Sequence, residues 1–291
     1  MLTHFKAHLV GSALAPATVV NYMADLRAFL RWAEQARGSG VSPFQLTPPD
    51  IQEYCIFLKQ GRNHAPATVN RRLQALRKFY HLAMEQGWTE SNPADQVSLL
   101  SETVSQRSRF LTADDVERLQ SAVQKGRRRW VARDWAIMQA FLGAGLKLSE
   151  LTQLRVADVH IDQPEPWLDV RDTTGVPDRT VPLDAQASAA LAAYLANRRA
   201  QPSVEHLFIN RDGRPLSTRS VQRLLRHYAR AAQLSELTTQ ALRYLFARRA
   251  YETSQDPETV ARLLGHRHLA TTIRYLRPSP APGDNAPVPE S

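Results

Sequence analysis

Two long stretches in the first hundred residues space their apolar side chains at about 3.6 residues, a period that only a helix with one buried face satisfies. In TVVNYMADLRAFLRWAEQA the stripe is Val19, Tyr22, Met23, Leu26, Phe29, Leu30 and Ala33. In PATVNRRLQALRKFYHLAMEQG it is Val69, Leu73, Leu76, Tyr80 and Ala83, closed by Gly87. Between them, TPPDIQEYCIFLKQG opens on Thr47, carries Pro48 at the favoured first-turn position and stops at Gly61. Beyond residue 110 the pattern mixes. Thr112 with Asp114 and Asp115 marks another helix start. DWAIMQAFLGAG, AQASAALAAYLANRRA behind Asp184, STRSVQRLLRHYARAAQ, QALRYLFARRAYETS and DPETVARLLGH read as helices. WLDVRDTTGVPDRTVPLD reads as strand, turn, strand, and HLFIN as a short strand ended by RDGRP. The expected fold is mainly α, in two domains. A helical domain occupies 1–100. A Ser-rich linker follows at 101–110, then a mixed, mainly helical domain at 111–277 with a small antiparallel sheet. A Pro-rich disordered tail closes the chain at 278–291.

No apolar run approaches the roughly 18 residues of a membrane span, and the first twenty residues lack the apolar core of a secretory leader. The lone cysteine, Cys55, excludes an intramolecular disulfide and a thiolate zinc cluster, and inside YCIFL it reads as core filling. These features lead us to expect a cytoplasmic protein with no membrane partner and no metal.

The net charge is +9. Residues 1–110 hold 12 Lys/Arg against 8 Asp/Glu, and residues 111–291 hold 25 against 20, so both parts are basic. A clamp around a polyanion needs that distribution, and a coding bias that inflates Arg also produces it. Local pattern separates the two better. Arg219, Arg223, Arg226 and Arg230 recur at spacings of four and three, one helical stripe that no acid interrupts. On the helix that ends at Gly87, Arg71, Gln74 and Lys78 lie opposite the apolar stripe, with Arg72 beside them; a solvated face is the commoner explanation there. Arg71, Arg72, Lys78, Arg219, Arg223 and Arg226 are the candidates for DNA groove and phosphate contacts.

Only five of the 37 basic residues are Lys, and one of them, Lys147, sits between two leucines in the tight turn GAGLKLSEL. That turn belongs to a set of separated segments. GAGLKLSELTQLRVADV resembles the Gly-Leu-Arg-x-x-Glu-Leu turn of the tyrosine recombinases, the family of phage integrases and chromosome-dimer resolvases. TTGVPDRTVPL is similar to that family's Lys-bearing β-hairpin, TTQALRYLFARRA to its His-x-x-Arg helix, and LLGHRHLATTIRYL to its Leu-Gly-His turn and nucleophilic Tyr. TVVNYMADLRAFLRW and TVNRRLQALRKFYHLAMEQGWTESNPAD resemble its helical, SAM-like core-binding domain. The segments follow one another in the family's order from Thr3 to Tyr275.

The resemblance implies an N-terminal core-binding domain, an α+β catalytic domain, and transesterification on double-stranded DNA through a 3′-phosphotyrosine, with no cofactor. It implies Tyr275 as nucleophile, Arg243 as a phosphate-gripping cation, His266 as a donor to the phosphate, and Glu150 as the acid that orients the first cationic turn. Three positions depart from the pattern. Lys147 stands where the first arginine belongs, Gln240 where the His of His-x-x-Arg belongs, and Thr174, or a neighbour in a hairpin without lysine, where the hairpin Lys that serves as general acid belongs. A lysine offers a point charge in place of a guanidinium fork. Arg171 and Arg179 are within reach by sequence, but a guanidinium is a poor proton donor. The resemblance also implies a homotetramer on paired sites, alone or with another recombinase, associated with the nucleoid. Two functions therefore stand side by side: a recombinase weakened by these substitutions, and a homologue that binds a specific DNA sequence without cutting it. Relaxation of supercoils by the same chemistry is a third, against which the core-binding helices speak.

Overall fold

The computed structural model describes residues 1–12, 14, 16–101, 111–172, 175–199, 203–234 and 237–276. Most of the expected linker, the Pro-rich tail and Thr174 lie outside these residues. The chain divides into two compact units, Met1–Val104 and Ser105–Ser291. None of the described helices is long and apolar enough to cross a membrane.

The first unit is a bundle of α1 (Leu2–Gly11), α2 (Pro16–Arg37), α3 (Pro48–Ile56) and α4 (Pro66–Glu85). The stripe expected on α4 is buried throughout, as are Val19, Met23, Leu26, Phe29 and Ala33 of α2. Thr47 and Asp50 form the capping box that starts α3, and a π-helical turn, Phe57–Gly61, ends that segment. α1 had no signal in the periodicity. It buries Phe5 and Leu9 fully against the other helices.

The second unit opens with α5 (Ala113–Gln124), started by a Thr112–Asp115 capping box, and α6 (Val131–Ala144). After the short α7 (Leu148–Gln153) come three strands, β1 (Val159–His160), β2 (Trp167–Arg171) and β3 (Pro177–Pro182). They pair antiparallel in the order β1-β2-β3, with Leu168 opposite Val181 and an irregularity at Val170/Arg171. Helices α8 (Ala185–Asn197), α9 (Thr218–Ala231), α10 (Thr239–Ser254), α11 (Pro257–Leu264) and α12 (Leu269–Leu276) complete the unit. The buried face of the sheet, Leu168, Val170 and Val181, joins Ile137 and Phe141 of α6 and Leu242 of α10 in one core.

The expected strand HLFIN does not join the sheet. Its backbone pairs only at isolated bridges, Arg155 with His206 and Ile209 with Pro215. Side chains take carbonyls that a neighbouring strand would otherwise satisfy: Arg198 donates to Val204, His206 and Leu207, and the Tyr194 hydroxyl to Leu207. The apolar run correctly indicated burial of Leu207, Phe208 and Ile209, but not a ladder.

Candidate active site

Two tight turns and two helix ends converge in the second unit. The first turn follows α6, where Gly145 takes a left-handed conformation at φ 57°. A Cβ at this position would lie 2.2 Å from Phe246 Cδ1, so the close approach of α10 requires glycine. The second turn follows α11, where Gly265 is left-handed at φ 64° and delivers His266. Arg243, on α10 and only 3% exposed, bridges the two turns: Nη1 donates to the Gly145 carbonyl at 2.6 Å and Nη2 to the Leu264 carbonyl.

Glu150, 8% exposed in the first turn of α7, is the centre of the charge arrangement. Its carboxylate accepts the Lys147 backbone N–H at 2.7 Å and pairs with Lys147 Nζ at 3.2 Å. Arg179 of β3 grips both oxygens, at 3.1 and 2.9 Å, and Arg243 stands 3.7 Å away. Three cations thus surround one carboxylate, and the charge left over is positive. Lys147 is the exposed member, its side chain 48% accessible against 4% for Arg179.

Tyr275 lies in the last turn of α12. Its ring packs at 4.1 Å from Tyr244 and 4.8 Å from His266, centroid to centroid. Gln240, at the start of α10, donates through Nε2 to the Tyr275 hydroxyl. His266 Nδ1 lies 2.9 Å from the Oγ1 of Thr272, which is fully buried one turn before Tyr275. Tyr275, Gln240, His266, Arg243, Lys147 and Glu150 therefore form one connected cluster. Arg179, within reach by sequence but a poor proton donor, joins this cluster through Glu150, whereas Arg171 pairs with Asp158 instead. The signal for Arg179 was the two-residue period of β3, which puts it on the face of buried Val181.

The titrating groups feel this arrangement. Burial pushes the Glu150 carboxyl up, but the Arg179 fork, helped by the Lys147 N–H, outweighs it and holds the group below its usual range. Burial lowers the Arg243 guanidinium, while Glu150 and Tyr275 oppose that shift. His266 is pushed down to about 4, first by burial and then by Arg243, Lys147 and Arg179. Its imidazole is neutral at pH 7. In the tautomer where Thr272 donates to Nδ1, the ring proton sits on Nε2 and is available to a ligand.

A pH dependence follows. The unfolded chain protonates this histidine near its ordinary value of 6.5, the fold only near 4, so acidification between those values favours unfolding. Urea melts of the full chain are expected to lose stability from pH 6.5 to 4, and His266→Gln to lose less over the same window. Equal losses would mean that His266 is not held neutral.

The cationic candidates outside this cluster divide. Arg71 and Arg72 of α4 both pair with Asp25 of α2, which is 4% exposed, and so tie two helices together, while the Arg71 side chain stays 39% accessible. Lys78 lies half-buried on the same helix. Arg219, Arg223, Arg226 and Arg230 are exposed along α9, and none has an acidic partner among the described residues.

Residues 109–281 match the model of the phage integrase family, and residues 1–90 match that of the phage integrase N-terminal SAM-like domain. Tyrosine recombinase XerC of Thermodesulfovibrio yellowstonii is 31% identical over 283 residues, covering 94% of this chain and 90% of the relative. Tyrosine recombinase XerD of Halalkalibacterium halodurans is 29% identical over 279 residues, with the same 94% and 90% coverage. Among solved structures, the Tn1549 transposon integrase in complex with transposon right-end DNA superposes with a TM-score of 0.74 at 19% identity, covering 96% of this chain and 95% of that one. A lambda integrase dimer bound to a COC′ core site gives 0.74 at 19% identity, over 99% and 98% of the two chains. These structural likenesses are of fold. Together with the family models, they settle that the chain belongs to the phage integrase family and has the fold of the tyrosine recombinases.

Proposed function

We propose that this chain cuts and rejoins duplex DNA at a specific site through Tyr275. The observation that carries the reading is the meeting of the Tyr275 hydroxyl, Gln240, His266 and Arg243 beside a surplus of positive charge. The phenol oxygen gives up its proton to water and attacks a backbone phosphorus, the bond to the 5′ oxygen breaks as a 3′-phosphotyrosine forms, and the leaving 5′ oxygen takes a proton from water. A second 5′-hydroxyl reverses the step on a new partner strand, so the bond energy stays in the covalent link and no nucleotide is consumed. The Lys147 ammonium and the His266 Nε2–H supply charge and a hydrogen bond to the nonbridging oxygens. Arg243 keeps the two turns in register and adds its charge beneath them. Arg219, Arg223 and Arg226 contact phosphates along the duplex, and Lys78 a groove. The active assembly is a homotetramer on paired sites, formed alone or with a second recombinase.

A second reading keeps the DNA binding and drops the chemistry. It is favoured by Lys147 in place of a guanidinium and by the lack of lysine in the hairpin at 171–179.

Nicked duplexes that tile the DNA flanking the gene separate the two. An active chain traps an SDS-stable adduct on one of them, and mass spectrometry of that adduct maps the linked peptide to residue 275. Retention of one duplex with no adduct on it decides for the second reading.

A further inference from the structure

Glu150 has more cationic partners than a carboxylate needs, and they are not equivalent. Arg179 spends its whole guanidinium on the protein: Nη1 and Nη2 on the two Glu150 oxygens, Nε on the Leu263 carbonyl at 2.6 Å, and Nη1 also, more distantly at 3.5 Å, on the exposed Asp178 carboxylate. Its side chain is 4% exposed. It does not reach a substrate. It fastens the turn that carries Lys147 to the turn that carries His266, alongside the bridge that Arg243 makes between the same turns. The fit is tight, since a Cβ on Gly265 would lie 2.8 Å from Arg179 Nη1.

From this geometry we infer that Arg179 is a positioning residue for strand cleavage, which neutralises Glu150 in a fork so that the Lys147 ammonium remains available to the scissile phosphate. A guanidinium at position 147 could contact Glu150 and a phosphate at once through its several N–H groups, whereas a lysine offers one compact charge. If that charge were absorbed by a buried carboxylate, little would remain for an incoming anion. With Arg179 satisfying Glu150, Lys147 needs to give only part of its attraction to it. The hairpin that lacks a lysine thus contributes a cation of another kind, one layer behind the reacting atoms. The inference rests on the cleavage reading above and adds a defined task to a residue that reading leaves unused.

The test uses the full chain and two readouts. The first is the rate of adduct formation on the nicked duplex. The second is the modification rate of Lys147 by an amine-reactive anhydride, followed by mass spectrometry without DNA. Arg179→Met is expected to slow adduct formation about 100-fold, the scale of losing one preorganised donor. It is also expected to protect Lys147, because Glu150 then closes on the ammonium. Adding Glu150→Gln to Arg179→Met removes the uncompensated carboxylate. That double variant is expected to recover about tenfold in rate and to restore labelling. A merely structural role for Arg179 predicts no such rescue. Unchanged Lys147 labelling in Arg179→Met, or no recovery of rate in the double variant of an active parent, overturns the inference. If the parent itself forms no adduct, the cleavage reading fails while the labelling still decides the role of Arg179. If Arg179→Met does not fold by circular dichroism, Arg179→Lys, which keeps the charge and loses the fork, is labelled instead: partial protection supports the inference and parental labelling overturns it.

Discussion

Tyr275→Phe will bind its DNA site as tightly as the parent chain and form no SDS-stable adduct with a nicked duplex. The substitution removes one oxygen and leaves the ring, so the packing against Tyr244 and His266 is retained. The hydrogen bond from Gln240 lies in an exposed setting, where water replaces it, while the contact of the phenol oxygen with the buried Arg243 guanidinium is lost outright, so the cost to stability is about 1.5–3 kcal/mol. The chemical loss is of another order, because no neighbouring hydroxyl can take over. Thr272 is fully buried and hydrogen-bonded to His266. Tyr244 is 8% exposed and packed at a tilt of 49° against the Tyr275 ring. Gel electrophoresis after SDS reads the adduct, and filter binding or fluorescence anisotropy reads the affinity. A persistent adduct would move the nucleophile elsewhere. A collapse of binding would show that the oxygen serves recognition more than chemistry.

What the sequence carried, and what it withheld, follows from the range of each interaction. The helices of both units were legible because burial on a helix repeats locally: Val69, Leu73, Leu76, Tyr80 and Ala83 need no knowledge of their partners. Capping was legible for the same reason, as Thr47–Asp50 and Thr112–Asp115 span three residues each. The role of Glu150 beside Lys147 came through the family resemblance, and the structure makes it an i, i+3 contact. Asp25 was not, because it lies near the apolar stripe of α2 and its partners Arg71 and Arg72 come from a helix over forty residues later. On α4 alone those arginines look like a solvated or groove-facing row; only the helix–helix register supplies Asp25 as their partner.

Arg179 shows the same limit from the other side. The strand period puts it on the inner face with Val181, yet an arginine on an inner face makes sense only once a buried carboxylate is known to meet it. That carboxylate is 29 residues away, on a different element. The segment HLFIN marks the limit for backbone pairing. Its apolar run announced burial, but whether carbonyls face a strand or the guanidinium of Arg198 is a tertiary fact. Three of the segments that resemble the recombinases escaped this limit because each brings one or two members of the cluster on a short, ordered motif. Tyr275, Arg243, His266 and Glu150 then meet in space although up to 125 residues separate them.

Glu150→Ala will destabilise the second unit more than any other single change in the cluster, by about 3–5 kcal/mol at pH 7, the range for breaking a buried ion pair by removing one partner. The reason is what it leaves behind. Arg179, 4% exposed, loses both contacts of its fork, and Arg243, 3% exposed, loses the opposing charge that burial made necessary. The Lys147 N–H at the start of α7 loses its acceptor as well, which adds the cost of a missing helix cap. Urea melts of the full chain, followed by a probe in the second unit, measure the loss; in heat it corresponds to about 6–20 °C. Glu150→Gln should cost less, since an amide oxygen can still accept from Lys147 N–H and part of the fork. The pH dependence carries the sign of a depressed carboxyl. The stabilisation by Glu150 is complete above the ordinary value of 4.5 and disappears as pH falls through the lower folded value. The gap between the parent chain and Glu150→Gln should therefore be widest near neutrality and narrow below pH 4.5. A gap that stays constant down to pH 3, or an alanine variant within about 1 kcal/mol of the parent, would mean that the three cations do not depend on this carboxylate, and the charge arrangement drawn around Lys147 would lose its foundation.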